Sequence, residues 1–373
     1  MKGPSTTARS ATAPAPSAHA IPSLDGLRAI AFLIVYASHS GLQAVPGGFG
    51  VTVFFFLSGY LITTLLRLEH EQRGSIRLRD FYLRRALRIW PPFYAVLLIA
   101  VVGTMIGLVP GQLLPMPLLA QAFHFNNYWT IAHGVVGIPV GTGVYWSLAI
   151  EEHFYLLFPW IFMAIMGGLK RPGARAMALW ALCGVVLAWR CWLVFALHAP
   201  ENRTYMGSDT RFDSLLFGCA LALYRNPGID PARGDGRMLR FVWLPLGLAL
   251  LAFTFVFRDA AFRETARYTL QGIALIPVFV TAIRYPDWGA MKLLNHPIAV
   301  FLGVLSYSLY LLHHVTLAAL YYRTNWPIPV QAVAGLAIAI AIAWLLHVTL
   351  ERPAGRLRKR LSRAEVRRTG GRS

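Results

Sequence analysis

The stretch LDGLRAIAFLIVYASHS spans Leu24–Ser40. Most of it has the composition of a helix in hydrocarbon, yet it carries Arg28 and His39. Ionisable side chains are costly inside a bilayer and usually face a bundle interior or a wet cavity. The stretch therefore predicts a membrane helix with one polar face turned toward protein. Eleven residues separate Arg28 from His39, almost three turns at ~3.6 residues per turn, so both side chains share a face about 16 Å apart. They cannot touch each other. They can line one cavity at two depths, with Arg28 near its cytoplasmic mouth and His39 in its outer half. Two plainer readings stand beside this one: Arg28 snorkels to the inner headgroups beside Asp25, and His39 makes an ordinary interhelical hydrogen bond.

The rest of the chain repeats the apolar theme. Of 373 residues, 56% are hydrophobic and only 14% are charged, whereas soluble domains carry about 25% charged residues. The apolar runs are continuous rather than alternating, which fits helices better than an outer-membrane barrel. The expected fold is all-α: a polytopic membrane protein of about ten transmembrane helices. They fall near 24–42, 49–66, 91–109, 145–168, 176–197, 211–224, 241–257, 269–284, 298–321 and 328–350. The sixth is short. Between the third and fourth lies LLPMPLLAQAFHF (Leu113–Phe125), too short to span and expected to lie in the interface or to re-enter against protein.

Basic residues set the orientation. With a cytoplasmic N-terminus, 27 of the 35 Lys and Arg residues fall on inside segments and 6 on outside segments, while Arg28 and Arg190 lie within spans. Both termini are therefore expected in the cytoplasm. The same bias makes the net charge of +19 a topology signal rather than a nucleic-acid footprint, and no nucleic-acid partner is expected. Residues 1–22 read as a disordered cytoplasmic tail without the apolar core of a signal peptide, 23–353 as the transmembrane domain, and 354–373 as a basic cytoplasmic tail. Cys183, Cys191 and Cys219 lie in apolar runs without metal-ligand spacing and read as small buried hydrophobes. No metal site is expected.

Several spans carry further candidates. YWSLAIEEHFYLLFP (Tyr145–Pro159) places Ser147 and Glu151 at i,i+4 on one face; Glu152 points roughly 100° away. A carboxylate there can orient an imidazole or take a proton, or pair with an arginine such as Arg190 or Arg211. The sixth span opens with Arg211 and Asp213. The ninth carries Ser306, Tyr307, Tyr310 and His313 at near-turn spacing, with His314 beside them. In YLRRALRIWPPFY (Tyr82–Tyr94), Arg84, Arg85 and Arg88 can cradle an anion or serve only as positive-inside charge. Ser58 and Gly59 in FLSGYLI (Phe56–Ile62) suit close helix packing. The chain has no G-x-S-x-G nucleophile context and no Walker A loop.

Taken in order, these stations resemble the acyltransferase-3 family of integral membrane O-acyltransferases. LDGLRAIAFLIVYASH is similar to that family's opening Arg-x10-His. FFFLSGYLIT, YLRRALRIWPPFY, WSLAIEEHFYLLFP, RFDSLLFGCALA, LGVLSYSLYLLHH and ERP (Glu351–Pro353) resemble its later motifs, from Leu24 to Pro353. The resemblance implies functional positions at Arg28, His39, Arg85, Arg88 and Glu151. His153 departs from it, standing where many relatives carry Gln. It further implies an acyl-CoA donor, acetyl-CoA above all, and a glycan or lipid-linked acceptor hydroxyl, in the bacterial cytoplasmic membrane. On that reading Arg28 and Arg84, Arg85 and Arg88 hold the donor phosphates. His39 is the general base or a transient acyl carrier, and Glu151 holds its tautomer. Ser147, Glu152, Arg211, Asp213, Tyr307 and His313 support substrate or structure. Some relatives add an extracellular esterase-like domain; this chain ends soon after its tenth helix, so the work is expected within the membrane domain. The rival reading is a transporter of an anionic or glycan substrate, although no inverted repeat is visible. The sequence leaves the oligomeric state open.

Overall fold

In the computed structural model, the described residues are 21–232 and 234–358. The N-terminal tail before Ile21 and the basic tail beyond Arg358 lie outside them. Among the described residues there is no strand, and fifteen α-helices follow one another. They are α1 (Pro22–His39), α2 (Gly47–Arg73), α3 (Leu78–Met105), α4 (Pro115–Ala122), α5 (Asn126–His133), α6 (Trp146–Gly168), α7 (Pro172–Phe195), α8 (Glu201–Met206), α9 (Ser208–Leu223), α10 (Leu244–Val256), α11 (Ala260–Glu264), α12 (Ala266–Arg284), α13 (Met291–Leu294), α14 (Pro297–Arg323) and α15 (Ile328–Leu346). Wide π-type turns extend α10 backward over Leu239–Trp243 and α15 forward over His347–Glu351.

Eight helical segments are long and apolar enough to cross a membrane. They comprise α2, α3, α6, α7, α10, α12, α14 and α15 with their flanking turns. The two remaining expected spans, α1 and α9, fall outside that set. They are the central ones: α1 packs between α2 and α14, and α9 packs against α2, α7 and α12. A helix sheathed by protein needs less hydrocarbon-facing surface, so it can be shorter and more polar than its neighbours. The α2–α9 crossing depends on two glycines. A Cβ at Gly59 would strike the Leu215 carbonyl, and one at Gly218 would strike the Phe56 carbonyl, so each helix offers its backbone to the other.

The third helix departs most from expectation. It begins at Leu78 rather than near residue 91 and runs through Pro91 and Pro92. Arg84, Arg85 and Arg88 therefore sit on a continuous helix and not in a loop. A proline pair resembles a helix start because proline suits the first helical position; here the turn before it is already helical.

The connection between α3 and α6 folds into α4 and α5 and packs against protein, with Gln121, Asn127 and Thr142 fully enclosed. His124, between the two short helices, takes a left-handed backbone conformation (φ 58°).

Two arginines are completely enclosed. Arg190 on α7 makes a two-pronged ion pair with Asp213 on α9 (2.9 and 2.6 Å) and also bonds the Thr210 and Thr265 carbonyls and the Thr269 hydroxyl. Asp213 is thus a structural counter-ion. Among the described residues Arg211 has no carboxylate partner: it lies over the rings of Tyr268 (4.0 Å), Phe55 and Tyr205 (5.5 Å each) and donates to Thr52 Oγ (3.1 Å). Neither arginine pairs with Glu151 or Glu152.

Candidate functional site

The C-terminal residue of α1, His39, is exposed and meets α14. Its Nδ1 lies 2.9 Å from Nε2 of His313, and its ring stacks on His313 (5.1 Å) and His314 (4.6 Å). His313 is fully buried, and its Nδ1 lies 2.7 Å from the carbonyl of Tyr310. A carbonyl only accepts, so His313 Nδ1 carries the proton and its Nε2 carries the lone pair. His39 Nδ1 must then donate to it. That leaves the lone pair of His39 on Nε2, with no partner among the described residues, at the accessible edge of the pair. Phe32 and Tyr36 flank His313 with their edges (5.9 and 6.2 Å) and fix its plane.

The sequence suggests Glu151 as the group that orients His39. The structure puts His313 in that position instead. Glu151 accepts from Ser58 Oγ (3.1 Å) and from Tyr155 OH (2.7 Å), within electrostatic reach of Arg85 and Arg28. The reason is depth. His39 occupies the last position of α1, whereas Glu151 lies more than a turn inside α6. Ser147, one turn earlier on α6, engages Tyr310 OH at 2.6 Å rather than Glu151. Tyr310 thereby joins the two helices that carry His313 and Glu151. Glu152 faces Trp90 on α3, and Tyr307 donates to the Ile89 carbonyl of the same helix (3.0 Å).

The other end of α1 is basic. Arg28 pairs with Asp25 (2.5 Å), and Arg88 is close enough to act on it electrostatically. Arg85 lies over the rings of Tyr155 (5.6 Å) and Phe81 (5.9 Å). Arg88 and Arg358 are its cationic neighbours, together with Arg84. Arg84 is already neutralised by Glu69 (2.7 Å). Among the described residues Arg85, Arg88 and Arg358 have no carboxylate partner. Like charges gathered in this way repel one another. The basin brings together Arg28, Arg85 and Arg88 as the sequence suggests, demotes Arg84 to an ion pair, and adds Arg358. Only the basic run after Glu351 hinted at Arg358. Among the described residues no group of three or more His, Cys, Asp or Glu is placed to hold a metal ion.

Comparison with known proteins accords with this layout. The family model described as "Acyltransferase domain" matches residues 21–348. The peptidoglycan O-acetyltransferase OatA of Listeria monocytogenes is 32% identical over 355 residues, covering 89% of this chain and 55% of that protein. A Staphylococcus aureus (strain COL) protein with an O-acetyltransferase name is 31% identical over 351 residues, covering 89% of this chain and 57% of that one. Bacillus subtilis YrhL, named by inference for peptidoglycan O-acetylation, is 29% identical over 352 residues (89% and 54%). The chain thus spans little more than half the length of these relatives. No solved structure matches. The family match takes in the histidine pair and Arg28, Arg85 and Arg88, though not Arg358, and the chain belongs to the acyltransferase-3 family.

Proposed function

We propose that this protein is a membrane acyltransferase. It moves a short acyl group from acyl-CoA to a hydroxyl on a glycan or lipid-linked acceptor. The names of its relatives favour acetyl as the group transferred. Both termini face the cytoplasm of a bacterium, ten helices span its inner membrane, and the basic basin opens toward the donor. The observation that carries the reading is the His39–His313 pair: an accessible imidazole nitrogen held in its basic tautomer by a buried acceptor.

Arg28, Arg85, Arg88 and Arg358 suit the phosphates of coenzyme A, because guanidinium groups pair phosphate oxygens two-pronged. The pantetheine arm extends along the shared face of α1, about 16 Å from Arg28 to His39. His39 Nε2 takes the proton of the acceptor hydroxyl as its oxygen attacks the thioester carbonyl carbon. The C–S bond breaks, the new ester C–O bond forms, and the proton passes to the departing thiolate. While His39 is protonated, His313 Nε2 accepts a stronger, charge-assisted bond from Nδ1. Glu151, tied to Ser58 and Tyr155, serves the donor end by holding the wall beside Arg85.

The test is acetyl transfer by His39→Ala protein that is shown to be inserted and to bind coenzyme A. Loss of turnover with donor affinity intact is expected. Turnover close to that of the parent removes His39 from the reaction, and with it this assignment.

A further inference from the structure

Fourteen buried side-chain polar atoms lack a hydrogen-bond partner among the described residues, and five of them fall within residues 121–129. Native interiors pair nearly all such groups, so this concentration singles out the α4–α5 hairpin. Its centre is His124. The residue is 8% exposed, its Nε2 is unpartnered, and its backbone is left-handed. Non-glycine residues adopt that conformation rarely, and such strain gathers at functional sites. Burial first, and His153 second, push the His124 imidazole down to about 4, so it is neutral near pH 7.

His153 of α6 lies opposite, its imidazole within reach of the His124 backbone. Its ring meets Phe125 (5.1 Å) and Tyr128 (6.0 Å), and its Nδ1 is 2.7 Å from Ser208 Oγ. Ser208 also accepts from Asn127 Nδ2 at 3.1 Å. That amide donates as well to the Met206 carbonyl, which identifies the unpartnered atom of Asn127 as its carbonyl oxygen. Asn127 is fully buried.

Within residues 121–129 the unpartnered atoms include both donors and acceptors, and none belongs to a lysine or arginine. Arg203, which reaches this hairpin through Asp209, is held two-pronged by that carboxylate, which Tyr128 and Trp189 also contact. A phosphate would need a free cation. A hydroxyl gives and takes a hydrogen bond at once, so vicinal hydroxyls match a mixed, uncharged set. Phe123 and Phe125 stand 69% and 57% exposed beside it, and aromatic faces suit the C–H faces of a sugar ring.

We propose that His124, Asn127, His153 and Ser208, flanked by Phe125 and Tyr128, bind the saccharide ring that presents the accepting hydroxyl. The proposal rests on the acyltransferase reading for its role but on its own geometry for binding. It also gives His153, the departure from the family pattern, a task in choosing the acceptor.

The experiment uses the full chain in nanodiscs and a tetrasaccharide of alternating N-acetylglucosamine and N-acetylmuramic acid as probe, titrated calorimetrically without donor. Asn127→Ala and His153→Ala are expected to weaken binding about tenfold, the loss of one or two hydrogen bonds, and Phe125→Ala, at an exposed position, to weaken it without a folding risk. His153→Gln should restore most of the affinity. Coenzyme A affinity should stay within twofold throughout. A parent protein that binds no tetrasaccharide, or one whose affinity is the same in all three alanine variants, overturns the site. Tetrasaccharide bound with the expected pattern but never acetylated from acetyl-CoA supports the site and removes the transfer reading instead.

Discussion

Replacement of His313 separates a histidine that orients from one that only packs. His313 is fully buried and makes two bonds, one to the Tyr310 carbonyl and one to His39. His313→Leu keeps the apolar contacts with Phe32 and Tyr36 but removes the acceptor for His39 Nδ1–H. In the resting state that bond joins two neutral groups. In the transition state His39 bears positive charge, and the bond becomes charge-assisted, worth about 1.5–3 kcal/mol. At about 1.4 kcal/mol per tenfold, kcat should fall roughly 10- to 150-fold. His39 also becomes free to adopt the unproductive tautomer, which adds to the loss. The KM for the donor should hardly change, because Arg85 and Arg88 lie at the other end of α1. His313→Gln offers a partial rescue: its amide N–H can reach the Tyr310 carbonyl while its carbonyl oxygen accepts from His39. The assay is steady-state transfer of acetyl from acetyl-CoA, with thermal stability measured in parallel. If the leucine variant keeps kcat within twofold of the parent, the orienting role is wrong; if Gln and Leu lose equally, the tautomer argument is wrong.

Two further outcomes follow from the same structure. Arg88→Ala and Arg85→Ala should each weaken coenzyme A binding about tenfold or more by calorimetry, whereas Arg84→Ala should change it little, since Glu69 already neutralises that guanidinium; equal effects at all three positions would make the basin a diffuse charge rather than a built site. Asp213→Ala strands Arg190 in a fully enclosed position and should cost about 3–5 kcal/mol, read as a fall in melting temperature in detergent, and replacing Arg190 as well by Met should recover part of it.

The helices were legible because hydrocarbon forces long apolar runs. The face shared by Arg28 and His39 was legible because helical pitch is a local property. What faces that pair was not. His313 lies 274 residues from His39 in the chain, and nothing in the spacing distinguishes it from Glu151 as the partner of His39. The start of α3 was obscured by its own charges and by Pro91–Pro92, which mimic an N-terminus. Glu69 and Arg84 are separated by a turn and half a helix, so their pairing, which takes Arg84 out of the basin, had no local signature. The cluster around His124 was least legible. Orphaned atoms are defined by what surrounds them, and only folding of the hairpin reveals which amides are satisfied.

Pro91 and Pro92 have a consequence for how the molecule responds to its ligands. Each lacks the N–H that would close a bond to the carbonyl four residues earlier, so α3 can bend there with little resistance. Below that joint α3 carries Arg85 and Arg88; above it, Phe93 packs on His124 (4.4 Å) and Tyr94 bonds the Ala122 carbonyl (2.9 Å). One jointed rod thus reaches from the basic basin to the orphan-lined hairpin. A bend at that joint would move Phe93 and Tyr94, and the hairpin they touch, relative to Arg85 and Arg88.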